Sequence, residues 1–205
     1  MTRRTIAVVT AGLSQPSSTR LLADRLAAAT TSALLDLGVE ADVDVVELRD
    51  LAHDLTDHML TGFPSPTLRD ALDRVVRADG LVAVTPVFSA SYSGLFKTFA
   101  DVLDDDVLAG VPVLVAATGG TERHSLVLDH ALRPLFSYLR AVVVPTGVYA
   151  ASPDWGSGAG ADGALQQRID RAAGELAALV AGERAARPPD PWDEPTPFAE
   201  LLLGD

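Results

Sequence analysis

The sequence predicts an α/β fold, a parallel sheet covered by helices on both faces. Three observations carry that expectation. Apolar, β-branched runs alternate with segments whose apolar residues recur at helical spacing. The run Gly80–Pro86, GLVAVTP, is apolar without a break, which suits a strand buried on both faces. The 205 residues, 48% of them hydrophobic, suffice for one domain around one sizeable core.

Each element follows from its local pattern. Arg4–Val9 is the first strand; a basic start followed by apolar residues mimics a signal peptide, but the apolar part is too short and gives way to a loop. Thr19–Leu37 is a helix, with Leu22, Leu26, Ala29, Ala33 and Leu37 on one face and Gly38 as its stop. Ala41–Leu48, ADVDVVEL, alternates and is β-branched, a second strand. RDLAHDLTDHMLTGFPSP is expected to be irregular, a connection long enough to suggest function. Pro66–Ala78 is a second helix, with Leu68, Leu72, Val75 and Val76 on its apolar face. Gly80–Pro86 is the third strand and Gly94–Leu103 the third helix. Val111–Thr118 is the fourth strand, and His124–Arg140 a fourth helix that Pro134 should bend or interrupt. AVVVPTGVYA is a fifth strand, and Ala164–Val180 the last helix.

Five strands alternating with helices fit the doubly wound, flavodoxin-like order 2-1-3-4-5. Residues 1–183 form that domain, and 184–205 a proline-rich tail. The tail carries Trp192, Phe198 and Leu201–Leu203, so it is expected to dock on its own or a neighbouring subunit.

Composition narrows the function. No apolar run approaches the ~18 residues of a membrane span. There is no cysteine, which excludes disulfides, thiolate metal sites and a cysteine nucleophile, and fits a cytoplasmic location. A net charge of −12 argues against general nucleic-acid binding. An anionic ligand therefore needs a local positive spot. No histidine pair has metal-ligand spacing with carboxylates, and Asp104–Asp106 reads as a solvated helix end.

In such sheets ligands bind at the carboxyl ends of the strands, beside the switch in strand order. That rule selects three loops. TAGLSQPSSTR, Thr10–Arg20, joins a strand to a helix but lacks both the lysine of a P-loop and the glycines of a dinucleotide loop. Ser14, Ser17, Ser18 and Thr19 can donate hydroxyl hydrogen bonds, the helix start adds its dipole, and Arg20 can neutralise charge. That set suits a phosphate monoester such as the one on flavin mononucleotide; it is equally a well-capped helix start. In Thr85–Leu103, TPVFSASYSGLFKTFADVL, small residues around Phe88 and Tyr92 let a flat ring approach. Ser89, Ser91 and Ser93 can bond the edge of that ring, though the two aromatics can also serve packing alone. In ATGGTERH, Thr118, Gly119 and Gly120 permit close backbone approach. His124 is a candidate substrate-binding residue, or simply a residue at a helix start.

At these residues the sequence resembles the NADPH-dependent FMN reductase family of the flavodoxin-like superfamily. TPVFSASYSGLFKTFADVL and ATGGTERHSLVLDHALRPLFSYLRA carry the resemblance. It is similar to the subgroup paired with luciferase-like monooxygenases. The opening loop keeps Ser14, Ser18 and Arg20 of the family's serine- and arginine-rich pattern but lacks its early arginine. The resemblance implies an NAD(P)H-dependent oxidoreductase that transfers hydride to N5 of FMN, with no protein nucleophile and no metal. It implies phosphate contacts from Ser14, Ser18, Thr19 and Arg20 and ring contacts from Pro86, Val87, Phe88, Ser89, Tyr92 and Ser93. Thr118, Gly119 and Gly120 approach the other ring edge. It further implies a homodimer or homotetramer and a possible flavin-dependent monooxygenase partner. An FMN-dependent quinone or azo reductase and a flavodoxin-type electron carrier remain alternatives.

Overall fold

The computed structural model describes residues 3–104, 106–155 and 161–182, with the backbone alone for 161 and 162. The proline-rich tail lies outside the described residues. Five strands build the central sheet: β1 (Arg3–Thr10), β2 (Glu40–Glu47), β3 (Gly80–Phe88), β5 (Pro112–Gly119) and the interrupted edge β6 (Val142–Val143) and β7 (Val148–Ala151). A short β4 (Ser91–Tyr92) folds back on β3. The order is β2-β1-β3-β5-β6, with β7 also on β5, and every pairing except β3–β4 is parallel. Counting the broken edge once, this is the expected 2-1-3-4-5 order; the described strands number seven because of two local events.

The first event is a proline. Pro145 has no N–H to donate to a ladder. The fifth strand therefore stops at Val143 and resumes at Val148. Side chains fill the gap: Arg133 donates to the carbonyls of Val144, at 2.8 Å, and Pro145. Glu175 accepts from the Thr146 N–H and hydroxyl, both at 2.7 Å. The second event is the two-residue turn Ser89–Ala90 that creates β4. Both residues hold positive φ, 48° and 66°. This is the backbone of a mirror-image hairpin turn, which matches strand twist but disfavours residues with a Cβ.

Strand alternation sorts the core. Ile6, Val8, Val82, Val84, Leu114 and Ala116 face α1 (Ser18–Asp36) and α6 (Ala161–Ala181). Ala7, Val9, Leu81, Ala83, Val113 and Val115 face the other helices: α2 (Ala52–Thr61), α3 (Pro66–Arg77), α4 (Gly94–Asp101) and α5 (Arg133–Tyr138). Phe96, fully buried, stacks edgewise with Phe136 at 6.3 Å and tilts against Tyr92 at 6.1 Å. Truncating such a phenylalanine to alanine costs about 3–5 kcal/mol.

One expectation is corrected, and another, the interruption at Pro134, is borne out and given its form. The segment expected to be an irregular connection is ordered: Leu48–Leu51 form a 3₁₀ turn that leads into α2. Leu48, Leu51 and Leu55 are buried at helical spacing, and Gly62, at φ 77°, closes α2 by donating to the His58 carbonyl at 2.7 Å. The fourth helix is not continuous. A 3₁₀ turn at Glu122–His124 precedes a wider π turn at Leu128–Leu132, and only Arg133–Tyr138 are α-helical. Pro134 cannot donate to a carbonyl one turn back, so the helix widens just before it. Among the described residues no helix is long and apolar enough to cross a membrane.

Candidate functional site

The carboxyl ends of β1, β3 and β5 carry the three loops singled out by sequence, and the structure ties them together. Thr19 Oγ1 and Thr118 Oγ1 lie 2.8 Å apart, linking the first loop to the third across 99 residues. Pro86 at the end of β3 is the register partner of Thr118, which joins the second loop to the third.

The first loop depends on Gly12. A Cβ there would overlap Ser17 Oγ and stand 3.2 Å from Thr19 Cβ. Without it the chain curls against the start of α1. Ser17 is the N-cap, its hydroxyl accepting the Arg20 N–H at 3.2 Å. The N–H groups of Ser18 and Thr19 have no carbonyl one helical turn back to serve them. The first turn of α1 has no acidic side chain, so in a chain of net charge −12 this end stays locally positive. Ser14 and Ser18 are exposed beside it. Thr10 Oγ1, buried on the face of β1 toward α1, has no hydrogen-bond partner among the described residues.

Two residues of this loop differ from their expected roles. Thr19 is 2% exposed and its hydroxyl is held by Thr118 rather than left open. Arg20 is turned toward β2. It pairs with Asp24 at 2.7 Å and with Glu47, and these partners raise its pKa above the ordinary arginine value, Asp24 foremost. It also lines a cavity of about 280 Å³ with Glu47, Asp50, Asp70 and Arg74. Its charge is thus shared with carboxylates.

The second loop is a strained hairpin on a rigid base. Thr85 Oγ1 accepts the Ser93 N–H at 3.0 Å, and Ser93 Oγ accepts the Phe96 N–H at 3.2 Å as the cap of α4. Ser93 is buried, so its hydroxyl serves the fold rather than a ring edge. Above that base, Val87 pairs with Tyr92 and Phe88 with Ser91. Pro86 is buried, Tyr92 half-buried, Ser89 exposed, and Phe88 47% exposed at the tip. A large apolar ring held open on a fixed hairpin is a surface a flat ligand can pack against.

The third loop rests on Tyr149, which the sequence reading did not single out. Its hydroxyl donates to the Thr121 carbonyl at 2.7 Å, and burial raises its pKa. Gly119 lies against this phenol; a Cβ would overlap Oη. Gly120 faces open space and is exposed. Thr121 caps the following turn by accepting the Arg123 N–H at 3.1 Å. His124 closes that turn and is exposed. Thr85, Tyr149 and Gly12 thus support the site from below. A glycine two residues past the end of a strand, as at Gly12, and a pair at a strand's end, as at Gly119 and Gly120, are the sequence signals of close backbone approach.

Comparison with known proteins gives a consistent picture. The family model described as NADPH-dependent FMN reductase matches residues 4–156. The chain is 40% identical over 179 residues to an FMN reductase (NADPH) of Pseudomonas aeruginosa, covering 86% of this chain and 92% of that one. It is 36% identical over 182 residues to the NADH-dependent FMN reductase SfnE of Pseudomonas putida, covering 89% and 95%. Among solved structures, an oxidoreductase from Corynebacterium diphtheriae is 52% identical with a TM-score of 0.85, over 89% of this chain and all of that one (100%).

Proposed function

The chain belongs to the NADPH-dependent FMN reductase family, and from that premise we propose that its three loops hold FMN while NAD(P)H delivers reducing equivalents. It is an NAD(P)H-dependent FMN reductase. The observation that carries the site assignment is the convergence of the loops through the Thr19–Thr118 hydrogen bond and the Pro86–Thr118 register.

The residues present fit the ligand. Ser14, Ser18 and the first N–H groups of α1 form a hydroxyl- and amide-lined anion site, and the unpartnered Thr10 hydroxyl lies on the same side of the sheet. Arg20 adds charge next to it. Val87, Phe88, Ser89 and Tyr92 offer the ring an apolar hairpin face, and Gly119–Gly120 let backbone approach its other edge. FMN, when bound, supplies the two-electron chemistry. Phe88 and Tyr92 of the hairpin and the Gly119–Gly120 backbone of the third loop would hold the ring and shield it from water. His124, exposed at the rim, would meet the cosubstrate.

The proposal extends to assembly and to the use of the product. Exposed Met59, Leu60 and Phe63 around the end of α2, with Phe88, support a homo-oligomer. The resemblance of the second- and third-loop sequences to the subgroup paired with luciferase-like monooxygenases supports delivery of reduced flavin to such a partner. The test is steady-state oxidation of NADPH and NADH by the purified chain with FMN, riboflavin, a quinone and an azo dye. Turnover with FMN is expected. Turnover with the quinone or dye alone would overturn the reading.

A further inference from the structure

Thr19 and Thr118 form the buried side-chain bond that joins the phosphate loop to the ring loop. Both are nearly inaccessible, at 2% and 4% exposed. Their 2.8 Å contact spans 99 residues of sequence. Thr19 belongs to the first turn of α1, whose N–H groups would meet a phosphate, and Thr118 immediately precedes the Gly119–Gly120 backbone. Either hydroxyl can be the donor; their mutual bond uses one of the two protons, so the donor's O–H is directed at the other oxygen and the acceptor's proton stays available to a further partner.

We infer that Thr118 is a positioning residue which acts on the flavin phosphate through Thr19, and that this bridge sets the preference for a phosphorylated over an unphosphorylated flavin. The inference rests on the FMN reading above. In the bound state the distance between phosphate site and ring site must match the ligand, and the bridge fixes that distance from the protein side. A ligand without the phosphate engages only the ring loops and gains nothing from the match. Thr118 thereby contributes to FMN affinity although its side chain points at Thr19.

The test compares dissociation constants of FMN and riboflavin, by quenching of flavin fluorescence, for the full-length wild type, T118V, T118S, T19V and the T19V/T118V double variant. T118V keeps side-chain shape and deletes the bond. Its FMN constant should rise about fivefold, the worth of one neutral hydrogen bond, with riboflavin within about twofold on the same scale. T118S keeps the hydroxyl and should restore the preference. The double variant should lose no more than either single one, because both remove the same bond. Should T118V fail to fold, T19V breaks the bridge from the other side and carries the same expectation. Equal loss for both flavins, or unchanged FMN affinity in T118V and T19V, would overturn the inference while leaving the FMN reading standing. A wild type without preference for FMN over riboflavin would overturn the phosphate-site reading itself, and the bridge with it.

Discussion

Replacing Gly119 by alanine should damage the site through one atom, and removing that atom should repair much of the damage. A Cβ at position 119 would overlap Tyr149 Oη and stand 3.2 Å from Cζ. The Tyr149 ring is buried in the core below the loop and cannot swing into solvent. To make room the phenol must shift, which sacrifices its 2.7 Å bond to the Thr121 carbonyl. Overpacking of this kind costs about 1–3 kcal/mol and the lost hydrogen bond about 1 kcal/mol, so G119A should lose about 2–4 kcal/mol. Y149F alone deletes the bond without a clash and should lose about 1 kcal/mol. In the double variant the clashing oxygen is gone, and the remaining contact needs a shift of only a few tenths of an ångström. The double variant should therefore be about 1.5–3.5 kcal/mol more stable than the sum of the single losses implies, since the shared bond is counted once and most of the clash is relieved. Urea unfolding of the four proteins measures this, and kcat/KM for FMN should fall about tenfold or more in G119A, since small displacements at a reacting centre are costly. Additivity within about 0.5 kcal/mol would show that Tyr149 does not set the space at Gly119.

Further outcomes follow from the same geometry. Ala90, exposed at φ 66° in the hairpin turn, pays a left-handed penalty that glycine avoids; A90G should stabilise the protein by up to about 1 kcal/mol after glycine's own entropy loss, and a destabilised variant in denaturant titration would contradict the turn assignment. Glu47 and Asp24 share the Arg20 charge. Glu47→Gln should therefore tighten FMN two- to fivefold, as expected for a partly exposed ion pair, more at low salt; weaker FMN binding in fluorescence titration would show that Arg20 does not serve the phosphate. Tyr149 has a raised pKa because it is buried, with Asp154 and Glu122 adding to the effect. Its neutral form is the folded one, so its stabilisation is full below the ordinary tyrosine range near ~10 and is lost as pH climbs toward the higher folded value. Y149F should remove a late ionisation step from the ultraviolet titration; an unchanged titration curve would refute the assignment.

Much of the fold was legible because periodicity was strong where burial was strong. The uninterrupted GLVAVTP run is the central strand β3, and the Leu22–Leu26 spacing marks the buried face of α1. Reading failed where apolar residues were few. Around α2 only Leu48, Leu51 and Leu55 are buried among polar neighbours, so the segment reads as loop. The break at Pro134 was visible, but AVVVPTGVYA reads as one strand, and neither its interruption at Pro145, nor the π turn, nor the Arg133 and Glu175 side chains that fill the gap were legible. The site followed the same division. The three loops proposed to form it were legible from their composition and the strand-end rule. The use of each hydroxyl was not, because a serine that caps a helix and a serine that meets a ligand look alike in sequence. Ser93 caps α4, Thr19 bonds Thr118 and Arg20 faces Glu47. For Arg20 and Thr19 the deciding neighbours lie 27 and 99 residues away.

On the proposed function, these loops bring FMN and a reduced nicotinamide together. The most direct measurement is anaerobic mixing of the purified chain, FMN and NADPH or NADH, followed through the visible absorbance of the flavin. FMN should bleach with one nicotinamide oxidised per flavin, and G119A should slow this about tenfold or more, as expected for a displaced ring loop. FMN that stays oxidised with both nicotinamides, in a protein shown to be folded, would contradict it.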